Sequence, residues 1–269
     1  MEYEREHADT NEPPLSPLPA RFILGMRVDA TTYDDAALRV LRWAESRESR
    51  YVCAVAVNNA VQAHDDASYK SVMNEADLVT PDGVPLTWAM RLLGCTGQRR
   101  VYGPRLTEVV CELAELERVP VGFYGSSPEV LSSLVGRVRV RWPALNIAYS
   151  YSPPFRELTP EEDARASADL AASGARIVFV GLGSPKQDRW MAEHRGRIPA
   201  VMLGVGAAFD FISGNKPQAP SVMQRVGLEW LFRLATEPRR LWRRYLVNNP
   251  RFVGLFTLQL LRRTSGTNS

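Results

Sequence analysis

Short apolar runs alternate along this chain with longer segments whose apolar residues recur every three or four positions. Residues 51–57, 77–80, 121–124, 146–150, 176–181 and 200–204 read as strands, and residues 34–46, 59–67, 84–93, 106–117, 128–141, 160–173 and 185–195 as helices. The unbroken run Ile177-Val178-Phe179-Val180 suits a strand buried on both faces, as in a parallel sheet. Strand–helix alternation at this spacing predicts an α/β fold, a Rossmann-like, mostly parallel sheet flanked by helices. Ser127-Pro128 and Thr159-Pro160-Glu161-Glu162 each set a capping residue before a proline at the first helical position. A Gly/Pro-containing stretch at 213–220 breaks the pattern, and beyond it the chain is helical and basic as far as Arg263. The expected division is a disordered lead-in (1–20), the Rossmann-like core (21–213), a basic amphipathic, membrane-associating helical appendage (214–263) and a short disordered tail (264–269).

Charge changes that picture most. The formal net charge is only +3, yet between Arg225 and Arg263 nine arginines face two acids, a net +7 that leaves −4 for the rest. Trp230, Phe232, Trp242, Tyr245, Phe252 and Phe256 are interleaved with those arginines, the composition of a helix lying in a membrane interface. Near an anionic leaflet each basic residue contributes about 1 kcal/mol, so half of this excess would localise the chain. The plainer reading is an exposed basic face packed by its own aromatics, and an aromatic tail equally suits self-association into a homo-oligomer. Nucleic acid is not expected as a partner, because no recognised binding module is present.

Composition adds bounds. At 269 residues and 45% hydrophobic content the chain supports one large core. Cys53, Cys95 and Cys111 are too few and too scattered for a disulfide frame or a zinc cluster and fit a reducing, cytoplasmic compartment. The acidic lead-in reads as neither signal nor transit peptide. No stretch approaches the roughly 18 apolar residues that span a bilayer, so peripheral attachment to the inner face of the cell membrane is the expectation.

In open α/β sheets ligands bind beyond the carboxyl ends of the strands. The residues following each predicted strand are Asn58-Asn59, Pro81-Asp82-Gly83, Gly125-Ser126, Ser152-Pro153-Pro154-Phe155, Gly183-Ser184-Pro185-Lys186-Gln187 and Gly206-Ala207-Ala208-Phe209-Asp210, a ring suited to a phosphate-bearing ligand. Gly181-Leu182-Gly183 and Gly204-Val205-Gly206 do not complete a Gly-x-Gly-x-x-Gly fingerprint, since Lys186 and Phe209 fill its last position. These glycines either let backbone amides approach a diphosphate or only permit close strand–helix packing. Asp82 is either an ordinary turn aspartate or a carboxylate held at the sheet edge as a general base. His7, His64 and His194 lack a ligand partner, and neither an Asp-x-Asp nor a metal-spaced cluster occurs, so no metal or other cofactor is expected.

From about Arg21 to Arg263 the chain closely resembles the WecG/TagA/CpsF family of bacterial glycosyltransferases. The resemblance is carried by Val57-Asn58-Asn59-Ala60, by Ala76-Asp77-Leu78-Val79-Thr80-Pro81-Asp82-Gly83 and by Arg100-Val101-Tyr102-Gly103-Pro104. It continues in Phe123-Tyr124-Gly125, Ser152-Pro153-Pro154-Phe155, Val180-Gly181-Leu182-Gly183-Ser184-Pro185-Lys186-Gln187-Asp188 and Gly204-Val205-Gly206-Ala207-Ala208-Phe209-Asp210, and ends in Leu228-Glu229-Trp230-Leu231-Phe232-Arg233-Leu234 and Glu237-Pro238-Arg239-Arg240. It implies an inverting, metal-independent transfer of an N-acetylmannosamine-type sugar from a UDP-sugar donor to a sugar on undecaprenyl diphosphate, in teichoic-acid or exopolysaccharide synthesis. By position Asp82 looks like the base, with Asn58 and Arg100 orienting the donor sugar and its phosphates. Gly83, Tyr124, Gly125, Gly183, Lys186, Gln187 and Asp210 look like substrate-binding residues. Arg233, Arg239, Arg240, Arg243 and Arg244 are the expected contacts to the membrane or the lipid diphosphate. Ala56, Arg105 and Asn215-Lys216 depart from the family pattern. Transfer of glucose or another hexose, a nicotinamide-dependent oxidoreductase and a non-catalytic membrane-surface scaffold are the alternatives.

Overall fold

The computed structural model describes residues 15–225 and 227–266. The chain opens with an antiparallel hairpin, β1 (Ala20–Ile23) and β2 (Met26–Asp29). Six strands then form the central sheet: β3 (Arg50–Val55), β4 (Leu78–Pro81), β5 (Val121–Gly125), β6 (Ile147–Tyr151), β7 (Ile177–Gly181) and β8 (Val201–Gly204). Their order is β4-β3-β8-β7-β5-β6, and each neighbouring pair is parallel. The six strands expected from sequence are these six, within a residue or two at each end.

Alternation across the strands divides the core into two halves. Tyr51, Cys53 and Val55 of β3, with Val178 and Val180 of β7, face one side, while Val52, Ile177 and Phe179 face the other. Both faces are covered by helices, which is why these strands read as unbroken apolar runs. The Tyr33–Glu45 helix shows the matching helical period, burying Ala36, Ala37, Val40, Leu41 and Ala44, and Thr32 caps it by accepting from the Asp35 amide. The expected caps are formed as well. Ser127 accepts from Val130 N, and Thr159 closes a reciprocal capping box with Glu162.

The hairpin and the Ala67–Glu75 helix are among the elements that were not legible. The hairpin turns through Leu24 and Gly25, both at positive φ, without the Asn-Gly or Asp-Gly pair that usually marks such a turn. The Ala67–Glu75 helix starts at Asp66, which accepts from the amides of Ser68 and Tyr69 and so separates it from the Val57–Asp65 helix.

The basic segment packs on the sheet domain. It runs through helices Ser221–Arg225, Glu229–Thr236 and Pro238–Trp242, a π-helical turn Arg243–Val247 and the long helix Asn248–Gly266. Phe252 and Phe256 are buried in the same cluster as Ile23, Met26 and Ala60. Gln259 clasps the hairpin, accepting from Leu24 N at 2.8 Å and donating to the Phe22 carbonyl at 2.7 Å. Arg251 forks onto Asp65, and Asn248 donates to Asn58 at 2.7 Å. Among the described residues no helix is long and apolar enough to cross a membrane. Of the expected lead-in, residues 1–14 lie outside the described residues, whereas Leu15 and Leu18 pack against the core; of the expected tail, 267–269 lie outside them.

Candidate active site

Between β4 and β5 the chain crosses from one side of the sheet to the other. Beyond the carboxyl ends of β3, β4, β7 and β8 a cavity of about 800 Å³ opens, as expected at such a switch point. The strand ends form its floor, and Glu229, Arg233, Arg240, Arg244 and Tyr245 of the basic segment form its far wall.

Asp82 is fixed by the end of β4. Its amide and that of Gly83 both donate to the Val55 carbonyl, at 2.9 and 3.1 Å, which bends the chain out of the sheet. A side chain at position 83 would sit 3.1 Å from the Ala56 Cα, so glycine keeps this crossing close. Each carboxylate oxygen of Asp82 accepts one hydrogen bond: Oδ1 from Arg100 Nη2 at 3.1 Å, Oδ2 from Gly103 N at 3.0 Å. A carboxylate has about four lone-pair sites, so roughly two remain for a ligand. Arg100 also donates from Nε to the Asp82 carbonyl and pairs through Nη1 with Glu229 Oε2 at 2.7 Å, while its guanidinium lies 4.1 Å from the centre of the Tyr102 ring. Burial opposes the charge on Arg100, but the carboxylates of Asp82 and Glu229 outweigh it and raise its pKa above the ordinary arginine value. One cation thus joins the strand-end carboxylate to the basic segment.

The opposite wall is a glycine loop backed by a buried polar network. A Cβ on Gly181 would sit 2.6 Å from the Phe209 ring, and one on Gly204 2.6 Å from Met191 Cε, so these two glycines serve strand–helix packing. Gly183, at φ +79 with nothing within 4 Å of its missing side chain, turns the loop toward open space. Gln187 is buried and accepts from Gly183 N at 3.1 Å, holding that turn. Behind it, Asp188 accepts from Tyr69 Oη at 2.7 Å and Ser184 Oγ at 2.6 Å, and Asn59 donates to both Tyr69 and Ser184. Burial raises the Asp188 pKa against the opposing pull of these hydrogen bonds. Burial, followed by the Asp188 charge, pushes the adjacent Cys53 thiol up. Asp210 accepts from Asn215 at 2.8 Å and pairs with Lys216 at 3.0 Å, and Lys216 reaches on to Glu237, also at 3.0 Å.

The cavity wall brings together Asn58, Asp82, Gly83, Arg100, Gly183, Lys186, Gln187, Asp210, Arg233, Arg240 and Arg244. Four expected residues fall elsewhere. Tyr124 is a core residue stacked on Trp190 at 4.4 Å, because it lies within β5 and not after it. Gly125, at φ +121, lies under the wall, where a Cβ would meet the Gly181 backbone at 2.7 Å; Ser126 and Ser127 line the cavity instead. Arg239 and Arg243 are exposed outside the cavity. Arg100, expected to orient the donor, lies in the cavity wall and is engaged by two carboxylates. Among the described residues, Lys186, Arg233 and Arg244 have no carboxylate at ion-pair distance. Burial, with the neighbouring Arg233 charge adding to it, lowers the pKa of Arg244.

Glu229, Lys216 and Tyr102 were not among the expected site residues. A signal for the first was present: Glu229 and Glu237 are the two acids of an arginine-rich segment, and both turn inward onto cations of the site. Among the described residues no group of three His, Cys, Asp or Glu side chains is gathered as metal ligands.

A parallel α/β sheet whose carboxyl edge opens onto a strand-end carboxylate, Asp82, and a wall rich in cations fits an enzyme of the glycosyltransferase class. The chain belongs to the WecG/TagA/CpsF family of glycosyl transferases, whose sequence model matches residues 21–266. It is 36% identical over 194 residues to an N-acetylglucosaminyldiphosphoundecaprenol N-acetyl-beta-D-mannosaminyltransferase of Bacillus spizizenii, a match covering 71% of this chain and 72% of that protein.

Proposed function

We propose that this glycosyltransferase moves an N-acetylmannosamine-type sugar from a UDP-linked donor to an N-acetylglucosamine carried on undecaprenyl diphosphate, with inversion at the anomeric carbon. Asp82 takes the proton of the acceptor hydroxyl as its oxygen attacks the anomeric carbon; the bond from that carbon to the donor phosphate breaks, and UDP leaves with the electron pair. One displacement with one base inverts the centre. Arg100 and Gly103 N hold the Asp82 carboxylate in place, so Arg100 acts on the base and not on the phosphates. Lys186, Arg233 and Arg244 neutralise the two diphosphates, that of the donor and that of the lipid. Gly183 and Gln187 shape the donor side, Asn58 and Asp210 contact its sugar or ribose, and the exposed ring of Phe155 at the cavity offers the uracil ring an apolar face. Attachment to the inner membrane surface through the basic segment brings these groups to a lipid-linked acceptor.

The single observation carrying this reading is a partly buried carboxylate with free lone pairs sharing a cavity with three cations that, among the described residues, have no carboxylate at ion-pair distance. The test is to mix the purified chain with UDP-N-acetylmannosamine and a short-chain polyprenyl-diphosphate N-acetylglucosamine, then follow UDP release and disaccharide mass. Equal UDP release without acceptor, or no disaccharide, would defeat it.

A further inference from the structure

The Val84–Leu92 helix leaves the Asp82 turn and carries one face outward from the cavity. Val84 and Pro85 at its start line the cavity. One turn on, Trp88 is 52% exposed, and one turn further Leu92 is 67% exposed. At four-residue spacing they share a face, so the helix shows an indole and a leucyl side chain to solvent in a row. The strip is not isolated. Gly227 packs against Val84 and Trp88, which sets the neighbouring exposed Leu228 beside them. At the far end Arg21 donates to the Leu93 carbonyl at 2.7 Å, bringing the hairpin and its exposed Phe22 to the same edge.

The flank of this strip is cationic. A groove of about 600 Å³ lined by Trp88, Arg91, Arg99 and Arg105 adjoins the main cavity through Val84, Arg100 and Tyr102. Glu108 is the acid in that groove, and it is already paired with Arg105 at 2.8 Å and Arg141 at 2.7 Å. Arg91 spends its Nε on the Gln98 carbonyl, and among the described residues Arg99 has no carboxylate at ion-pair distance. An exposed tryptophan and leucine beside uncompensated arginines is the composition of a surface that enters a headgroup layer, with the rings at the acyl boundary and the guanidiniums on phosphates. Stable peripheral attachment takes more than one such signal.

We infer that the Trp88–Leu92 face, with Arg91 and Arg99, docks on an anionic bilayer as a contact in addition to that made by the arginines of the basic segment. It rests on the reading of a lipid-linked acceptor. Because the helix starts at the catalytic turn, docking this face would hold the side groove and the cavity mouth against the lipid surface, where a polyprenyl diphosphate is presented.

The test uses the full chain with its basic segment intact. Co-sedimentation with vesicles of phosphatidylcholine containing phosphatidylglycerol, and with phosphatidylcholine alone, is compared for the wild type, W88S/L92S and R99E. Expected is a fall of about tenfold in partition to the anionic vesicles for W88S/L92S. R99E falls less and loses part of its salt dependence. Turnover on a soluble, short-chain acceptor should stay within about twofold of wild type for both. These side chains are exposed, and unchanged thermal unfolding confirms intact folds. Unchanged partition in both variants overturns the inference. So does a variant that keeps vesicle binding but shifts from oligomer to monomer in light scattering, which would make the face a contact between copies. Absence of wild-type turnover would defeat the transferase reading instead, and the vesicle comparison would still decide the docking face.

Discussion

Replacing Glu229 by Gln isolates the link between the basic segment and the candidate base. In the native chain Arg100 lies between two carboxylates, 3.1 Å from Asp82 and 2.7 Å from Glu229, with side chains 19% and 10% exposed for Arg100 and Glu229. Opposite charges about 3 Å apart attract by about 5 kcal/mol at an effective dielectric near 20 and by about 1.4 kcal/mol in water. The glutamate also regains hydration when the pair is lost in unfolding, which offsets part of that attraction. A net loss of about 2 kcal/mol follows for Glu229→Gln, a fall in Tm of roughly 4–8 °C for a chain of this size. The charge-retaining Glu229→Asp should lose less than half as much. Activity should fall with it through kcat, because Arg100 would then rest on Asp82 alone and draw the carboxylate toward itself, while KM for the donor stays within about twofold. Calorimetry on the single variants, Arg100→Met and the double variant gives a coupling energy. Coupling below about 0.5 kcal/mol, or equal Tm for Glu229→Gln and wild type, would refute the bridge as a structural element.

Two further outcomes are expected from the glycine loop and its support. Gly181→Ala puts a methyl 2.6 Å from the Phe209 ring, which cannot swing aside as a flexible chain end could; a loss of about 1–3 kcal/mol in thermal unfolding should accompany weakened UDP binding by calorimetry. Asp188 has a raised folded pKa, so its contribution to stability is complete below its unfolded value and is lost as pH rises through the folded one. The difference in Tm between Asp188→Asn and wild type should therefore shift in favour of the variant from about pH 4 to pH 8, and a difference that stays flat in melts across that range would contradict the assignment.

Much of this was legible because the chain announces it locally. A parallel sheet covered on both faces must be built from short apolar runs, so β3 to β8 stood out, and the residues after their ends supplied most of the cavity wall. What failed did so for reasons of geometry. Tyr124 belongs to the resemblance segment but precedes the last residue of β5, so its ring turns into the core against Trp190. Leu24-Gly25 makes a tight hairpin turn with a residue that does not advertise one. Arg100 was expected to orient the donor, and its partner Glu229 was not anticipated because it comes from a segment far along the chain whose arginines drew attention to its surface. The acids in that segment were the better clue: Glu237 pairs within the segment, with Lys216 and Arg240, whereas Glu229 reaches out of it to Arg100. Gly181 and Gly204 carried both packing and phosphate readings, and the contacts decide for packing there while leaving Gly183 to the cavity.

Asp82 is the group proposed to take the acceptor proton. Asp82→Asn keeps the shape of the side chain and removes the basic oxygen, but its single amide oxygen can accept from only one of the two donors, Arg100 Nη2 and Gly103 N. The direct measurement is single-turnover formation of disaccharide on a short-chain polyprenyl-diphosphate N-acetylglucosamine, with donor affinity followed in parallel. The prediction is a rate lower by about 10²–10⁴ with UDP affinity within about threefold of wild type. Turnover within about fivefold of wild type at neutral pH would contradict it.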